Sequence, residues 1–165
     1  MEDPFTWMIV AFAVVGVATM WQLFLRGEVV GEVTATRLAG LDADGKATLR
    51  VKRTANSKGV PTVRLHVSVP LAAAMSRFTA REARRLSQLL DEAIEDGIGG
   101  CQVERLRDDG GELFVVVVMA VNDTVVRARL ATAGAKRLAA LVRVAAEPGR
   151  TLAQARWNAS RAKTQ

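Results

Sequence analysis

The fold is decided by residues 63–95, VRLHVSVPLAAAMSRFTAREARRLSQLLDEAIE, whose pattern returns in residues 115–147, VVVVMAVNDTVVRARLATAGAKRLAALVRVAAE. In both stretches a strand-like segment comes first and a segment with helical spacing of apolar residues comes last. The offset between them is 52 residues, from 63 to 115. Self-similarity at a fixed period indicates a structural unit that occurs more than once. We therefore interpret this part of the chain as a duplication.

The alignment at this offset extends over residues 49–95 and 101–147. Chance is the alternative explanation, because Ala, Val, Arg and Leu are common enough here to coincide without common structure. The secondary-structure signals, however, repeat in step with the identities. The identical pairs are Val51/Val103, Arg53/Arg105, Gly59/Gly111, Val63/Val115, Val69/Val121, Arg77/Arg129, Ala83/Ala135, Arg85/Arg137, Leu86/Leu138, Leu89/Leu141, Ala93/Ala145 and Glu95/Glu147.

The first unit contains a strand and then a helix. Residues 63–69 alternate apolar and polar, which is typical of a strand with one buried face. Thr79 and Glu82 have the T-x-x-E spacing of a capping box, which begins a helix. The glycines that start at Gly97 end it. One stripe of the predicted helix is apolar: Ala83, Leu86, Leu89, Leu90, Ala93 and Ile94.

The second unit carries the same signals. Residues 113–121 read as a strand, and residues 124–130 can return as its hairpin partner across Asn122-Asp123. Thr132 is placed to cap a helix that ends at Pro148. Its inward positions are Ala135, Leu138, Leu141, Val142 and Ala145.

A further hairpin precedes the duplicated units. Residues 29–38 and 47–53 have strand character and are joined across Asp42-Ala-Asp-Gly45. We therefore predict an α+β soluble domain over residues 27–147, with two layers: a mostly antiparallel sheet and two helices. Tandem strands-then-helix units of this kind resemble, in topology only, the Whirly and Pur-alpha types of nucleic-acid-binding fold. No diagnostic motif of those families is present, so no residue role follows.

An apolar segment stands before the domain. Residues 7–25, WMIVAFAVVGVATMWQLFL, contain no charge over 19 residues, which at about 1.5 Å per residue reaches roughly 28 Å, close to the thickness of a bilayer core. A cleaved signal peptide fits less well, because acidic residues precede the run, and a buried helix is the other alternative. We predict a transmembrane anchor over residues 1–26. Its characteristic residues are Trp7, Phe12, Gly16, Ala18, Trp21 and Phe24.

The charges around the anchor predict its orientation. No Lys or Arg precedes it, whereas Arg26, Arg37 and Lys46 follow it. Because positive charge favours the cytoplasmic side, we expect a single-pass protein of the cell inner membrane or an equivalent membrane, with the N-terminus outside and the domain in the cytoplasm. The single cysteine, Cys101, fits a reducing compartment.

Catalytic constellations are missing from the sequence. His66 is the only histidine and falls on the polar side of a strand, while Cys101 aligns with Leu49 and has the character of a small core residue. Neither a metal-ligand cluster nor a phosphate-binding loop can be assembled. We therefore predict no enzyme, no cofactor, no metal and no small-molecule substrate.

A basic face is the first candidate site. The chain has 23 Lys and Arg against 17 Asp and Glu, a net charge of +6, which favours anionic partners. Arg50, Lys52, Arg64 and His66 are expected to project from one side of neighbouring strands. They form the candidate anion-binding face.

An apolar strand is the second candidate site. Val116, Val118 and Ala120 make residues 115–121 apolar on both sides, which requires burial on both. Either another layer or the tail covers the strand, or it forms an interface with another chain. Trp157 lies in the basic C-terminal tail, residues 148–165, which either docks on lipid or a partner or is a disordered end. We group Trp157 with the candidate partner interface.

These observations give two hypotheses of function. The first is a non-catalytic accessory or scaffolding subunit of a membrane complex, whose anchor contacts lipid and other membrane subunits and whose cytoplasmic domain mediates protein–protein contacts. The alternative is a membrane-tethered protein that binds nucleic acid through the basic face. Its weakness is the small number of aromatic side chains that could stack on bases.

Overall fold

The computed structural model of the chain describes residues 27–39, 42–56, 60–70, 72–121 and 124–147. They form eight strands and two helices. In chain order the elements are β1 (Glu28–Ala39), β2 (Asp42–Ala55), β3 (Pro61–Val69), β4 (Ala72–Thr79), α1 (Ala80–Glu92), β5 (Asp96–Ile98), β6 (Cys101–Arg107), β7 (Leu113–Val121), β8 (Thr124–Ala131) and α2 (Thr132–Ala146).

All eight strands belong to one antiparallel sheet, in the order β4-β3-β2-β1-β8-β7-β6-β5. The chain runs through two units of four strands and a helix, β1 to α1 (unit 1) and β5 to α2 (unit 2). The units join where β1 pairs with β8, with Arg37 opposite Ala128. Strands β4 and β5 are therefore the two ends of the sheet.

The register of the strands recurs at the 52-residue offset. Leu49 of β2 pairs with Val67 of β3, and 52 residues later Cys101 of β6 pairs with Met119 of β7. The helices follow the same rule, because α1 begins at Ala80 and α2 at Thr132. The short β5 is the exception: it lies beside β6 as β1 lies beside β2, but it is not at the 52-residue offset from β1.

The core lies between the helices and one face of the sheet, which we call the inner face. Residues of both units belong to one buried cluster, so the sheet curls around a common core. The turn at Gly99 lies against Phe78 of β4, and a Cβ built at Gly99 would stand 2.8 Å from that ring. The two ends of the sheet thus approach each other. The largest buried side chains include Phe78, Leu49, Leu65, Leu86, Leu89, Leu90, Met119, Leu130 and Leu138.

The two helices contact each other through equivalent positions. The Ser87 hydroxyl donates to the Ala139 carbonyl oxygen at 2.9 Å, and Arg143 pairs with Asp91 at 3.2 Å. In each pair the partners are 52 residues apart. Contact between equivalent residues is what a two-fold axis produces, so a pseudo-two-fold axis passes between the helices.

The two helices begin with different N-cap interactions. The predicted capping box is confirmed, because Glu82 N donates to Thr79 Oγ1 and Thr79 N donates to Glu82 Oε2. The predicted cap at Thr132 is wrong: the N-cap is Ala131, which has no side-chain acceptor. Thr132 instead donates its hydroxyl proton to the Leu113 carbonyl oxygen. At the far end of α2, Arg53 donates to the Ala145 carbonyl oxygen at 3.1 Å and so satisfies a free helix terminus.

The predicted fold class, a transmembrane helix followed by a two-layer domain, is corrected by the structure. What the described residues show is mostly an eight-stranded antiparallel sheet with two helices. Neither helix in this part of the chain is long and apolar enough to cross a membrane. The helices have 13 and 15 residues, whereas a span needs about 20 predominantly apolar ones. The predicted anchor, residues 1–26, and the tail, residues 148–165, lie outside the described residues.

Equivalent helix positions are not buried alike, and this predicts unequal mutational costs. Leu89 is fully buried, whereas its equivalent Leu141 is only partly buried, against Gly31. Leu89→Ala leaves an enclosed cavity and is expected to lower the free energy of unfolding by about 2–5 kcal/mol. Leu141→Ala is expected to cost less. Urea unfolding of both variants measures the difference, and equal costs would contradict the observed packing.

Candidate anion-binding face

The face of the sheet away from the helices, the outer face, carries a line of cations in unit 1. Lys52 of β2 stands directly opposite Arg64 of β3, and Arg64 stands directly opposite Arg77 of β4. We call these three residues the basic row. Neighbouring strands lie about 4.8 Å apart, so the row spans roughly 10 Å. No hydrogen bond or ion pair joins any of the three side chains to another residue of the described ranges.

A second line runs beside the basic row. Glu32, Arg50, His66 and Met75 lie opposite one another across β1 to β4. Arg50 donates to Glu32 Oε2 through Nε at 3.1 Å and Nη2 at 2.9 Å, and both side chains are about half exposed. Such an exposed pair contributes little to stability, typically about 0–1 kcal/mol. The carboxylate of Glu32 is therefore already paired with Arg50.

A depression of about 220 Å³ lies over these strands, lined by Glu32, Thr48, Arg50, Lys52, His66 and Ser68. Two of its hydroxyls face each other, because Thr48 is directly opposite Ser68. The structure therefore brings together three of the four residues predicted for the anion-binding face, Arg50, Lys52 and His66. The fourth, Arg64, belongs to the basic row beside it.

Closely spaced cations and burial lower the pKa values of two groups on this face. Burial, followed by the charge of Arg77, lowers the pKa of Arg64. Burial, followed by the charges of Lys52, Arg64 and Arg50, lowers the pKa of His66. Two atoms on these side chains, Arg64 Nε and His66 Nε2, are shielded from solvent and have no hydrogen-bond partner. An added anion would relieve the repulsion between these cations.

Unit 2 shows a neutral version of the same row. The positions equivalent to Lys52, Arg64 and Arg77 are Glu104, Val116 and Arg129. Each charge there has a partner within unit 2: Glu104 pairs with Arg127, and Arg129 pairs with Asp108 at 3.7 Å. The guanidinium carbon of Arg129 also lies 3.3 Å from the centre of the Phe114 ring. The duplicated fold thus forms without a line of unpaired cations at this place.

The predicted partner interface, Val116, Val118 and Ala120, lies on the outer face of unit 2. Val116 is fully buried and Val118 is 8% exposed, and both form a small cluster with Leu38 and Leu106. Their cover therefore comes from neighbouring strands. Ala120 is exposed, and Trp157 lies outside the described residues.

Cys101 does not belong to either candidate site. Its side chain is buried in the core, and burial raises the pKa of its thiol to about 12. A thiol with so high a pKa is not a nucleophile at neutral pH. Among the residues that the structure describes, no group of His, Cys, Asp and Glu could hold a metal ion.

Sequence reasoning missed Arg77, Thr48 and Ser68. It predicted the strand over residues 124–130 but not β4, the equivalent strand 52 residues earlier. The offset itself was the available signal, because Arg77 and Arg129 are an identical pair.

No known protein family matches the chain, and no curated protein matches it. Four chains of solved structures are similar to it, and they include the following two. One comes from work on SsgB mutations that correlate with longitudinal cell division during sporulation of Streptomyces coelicolor: the identity is 12%, the TM-score is 0.43, and 72% of this chain and 88% of that chain are covered. The other is an SsgA-like sporulation-specific cell division protein from Thermobifida fusca, with 16% identity, a TM-score of 0.45, and coverage of 84% and 97%. At these scores neither likeness assigns a family or a function.

The structure corrects two predictions: the accessory subunit of a membrane complex, and its placement in the inner membrane with a cytoplasmic domain. No helix of the described residues is long and apolar enough to cross a membrane. The predicted transmembrane character is corrected with them. The alternative, a membrane-tethered protein that binds nucleic acid, is corrected as well, because it also assumes a membrane anchor.

The crowding of cations predicts how His66 titrates. Its pKa is expected below the usual value of 6.5, because burial and then Lys52, Arg64 and Arg50 disfavour the imidazolium. The contribution of His66 to stability is then present above about pH 6.5 and is lost as the pH falls through the folded-state pKa. His66 is the only histidine, so its NMR signals are unambiguous. Lys52→Gln is expected to raise the midpoint and Lys136→Gln to leave it unchanged; a wild-type midpoint at or above 6.5 would contradict the prediction.

Proposed function

We propose that this domain is a non-catalytic binding protein, which holds an acidic segment of a partner protein on the basic row. The observation that carries the proposal is the line Lys52, Arg64 and Arg77, three cations on adjacent strands with no acidic partner in the described ranges. Like charges directly opposite each other destabilise a sheet. The basic row therefore lowers the stability of the sheet, and a role in binding an acidic partner explains why three cations stand there.

The comparison between the units supports this reading. If the sheet required basic residues at these positions, unit 2 would carry them as well. It has Glu104 and Val116 instead, and its remaining arginine is paired with Asp108. The basic row is therefore a property of unit 1 and not of the repeated fold.

The chemistry of the face favours carboxylates over bases. Single-stranded nucleic acids gain about 1–3 kcal/mol per base from stacking on aromatic side chains. The described part of the unit 1 outer face offers no Phe, Tyr or Trp for stacking, since Phe78 is buried in the core on the other side of β4. An acidic peptide needs no such stacking, because guanidinium groups bind carboxylates in a forked geometry. Met75, 43% exposed beside His66, adds an adaptable apolar contact.

The length of the row suits an extended segment. Alternate residues of an extended chain point to the same side and lie about 6.8 Å apart. Two acidic residues at positions i and i+2 can therefore reach cations that are spread over roughly 10 Å. The row is on an open face, so the partner segment can extend beyond it on both sides.

Charge removal tests the proposal. The variant Lys52→Gln, Arg64→Gln and Arg77→Gln is expected to bind a fluorescent, glutamate-rich ten-residue peptide at least about tenfold more weakly, because charge-assisted hydrogen bonds are lost. The wild-type affinity should fall as the salt concentration rises. Anisotropy titration of the full-length chain measures both effects.

A matched control separates the row from net charge. The variant Arg84→Gln, Lys136→Gln and Arg137→Gln removes the same charge from exposed helix positions. It should keep wild-type affinity within about twofold. Equal losses in the two variants would refute the proposal. A ten-nucleotide single strand that binds more tightly than the peptide, through the same row, would replace it with nucleic-acid binding.

A further inference from the structure

We propose that the depression beside the basic row is a seat for a phosphomonoester group, so that the acidic segment binds best when one of its side chains is phosphorylated. The inference rests on the proposed function and adds the chemistry of the ligand. We call the depression the seat; its donors are Thr48, Arg50, Lys52, His66 and Ser68, with Glu32 at its rim.

The donors of the seat are numerous and of different kinds. Thr48 and Ser68 present two hydroxyls directly opposite each other, and His66 stands opposite Arg50 in the adjacent row. Lys52 follows on β2 and contributes an ammonium group. A phosphomonoester carries about −1.5 to −2 charges at pH 7 and three strong acceptor oxygens. A carboxylate has one charge and two oxygens, and would leave donors of this set unused.

His66 is the titratable group of the seat whose charge such a ligand would change. Its Nε2 is shielded from solvent and has no hydrogen-bond partner. The charged groups that face the ring are Lys52 and Arg50 on β2, Arg64 on its own strand and Glu32 on β1, whose carboxylate is already held by Arg50. The basic-row residue on β4 adds a further positive charge beyond Arg64. A dianion in the seat reverses this balance and favours the protonated ring, because opposite charges attract.

Unit 2 has no hydroxyl, cationic or imidazole group at the positions equivalent to these donors. The counterparts of Thr48, Arg50, Lys52, His66 and Ser68 are Gly100, Gln102, Glu104, Val118 and Ala120. The same strands pair in the same register there, so the strand pairing does not require the donor set. The seat is thus confined to unit 1, immediately beside the basic row.

The test compares three peptides on the full-length chain. They share one acidic sequence and differ at the central residue, which is phosphoserine, serine or glutamate. We expect the phosphoserine peptide to bind at least about tenfold more tightly than the serine peptide, a difference of about 1.4 kcal/mol. It should also raise the pKa of His66, followed by NMR, from its lowered value in the free protein.

Variants of the seat locate the effect. Thr48→Val together with Ser68→Ala should weaken the preference for phosphoserine, because two hydroxyl donors are lost, and should leave the affinity for the glutamate peptide within about twofold, since the basic row is intact. Lys136→Gln serves as the control and should change neither. An unchanged phosphoserine preference in the double variant would overturn the seat.

Failure of the seat and failure of the proposed function give different results. If all three peptides bind with equal affinity and require the basic row, the function stands and the seat is wrong. Inorganic phosphate is the independent probe: if it raises the pKa of His66 while no peptide binds, the seat exists and the proposed function is wrong. If neither phosphate nor any peptide changes the His66 signals or binds, both are wrong.

Discussion

Burial of the inner face of the sheet beneath the two helices is the constraint on which the rest of the structure depends. Val51, Val63 and Leu65 are fully or almost fully buried there, together with helix residues such as Leu86 and Leu138. Because successive side chains of a strand point to opposite faces, this burial fixes the register of every strand. It also decides which residues reach the outer face, where packing imposes far less on their chemistry. The cations of unit 1 stand on that less constrained face.

The duplication provides an internal control for reading function. Two units with recurring strand pairing, whose helices begin at equivalent positions, contribute to one apolar core. Their outer faces differ: unit 2 has paired charges and the buried Val116, whereas unit 1 has a basic row and a depression lined by donors. Features common to both units belong to the fold. Features that only one unit has, such as Arg64 and His66, are not required by the fold. They are therefore the better candidates for binding.

The sequence was most informative where periodicity and capping carry the signal. The capping box of Thr79 and Glu82, and the alternation of residues 63–69, depend on local spacing and are found in the structure. Curling of the sheet was not predictable, because contacts such as Gly99 against Phe78 arise only after distant strands pair. Strand β4 was missed since its small, weakly alternating residues give a faint signal, and Arg77 was missed with it. Apolar length alone indicated a membrane role, and nothing in the described helices supports that.

Replacing residues of the basic row in unit 1 by their unit 2 counterparts tests most directly the claim that the row serves binding. Lys52→Glu together with Arg64→Val gives unit 1 the residues that unit 2 has at the equivalent positions, Glu104 and Val116. The free energy of unfolding in urea and the affinity for an acidic peptide are then measured on the same preparation. If the basic row serves binding, stability is unchanged or higher, because like-charge repulsion is removed, and binding falls at least about tenfold. If the variant instead loses more than about 2 kcal/mol of stability, the row belongs to the architecture of the fold and the account is contradicted.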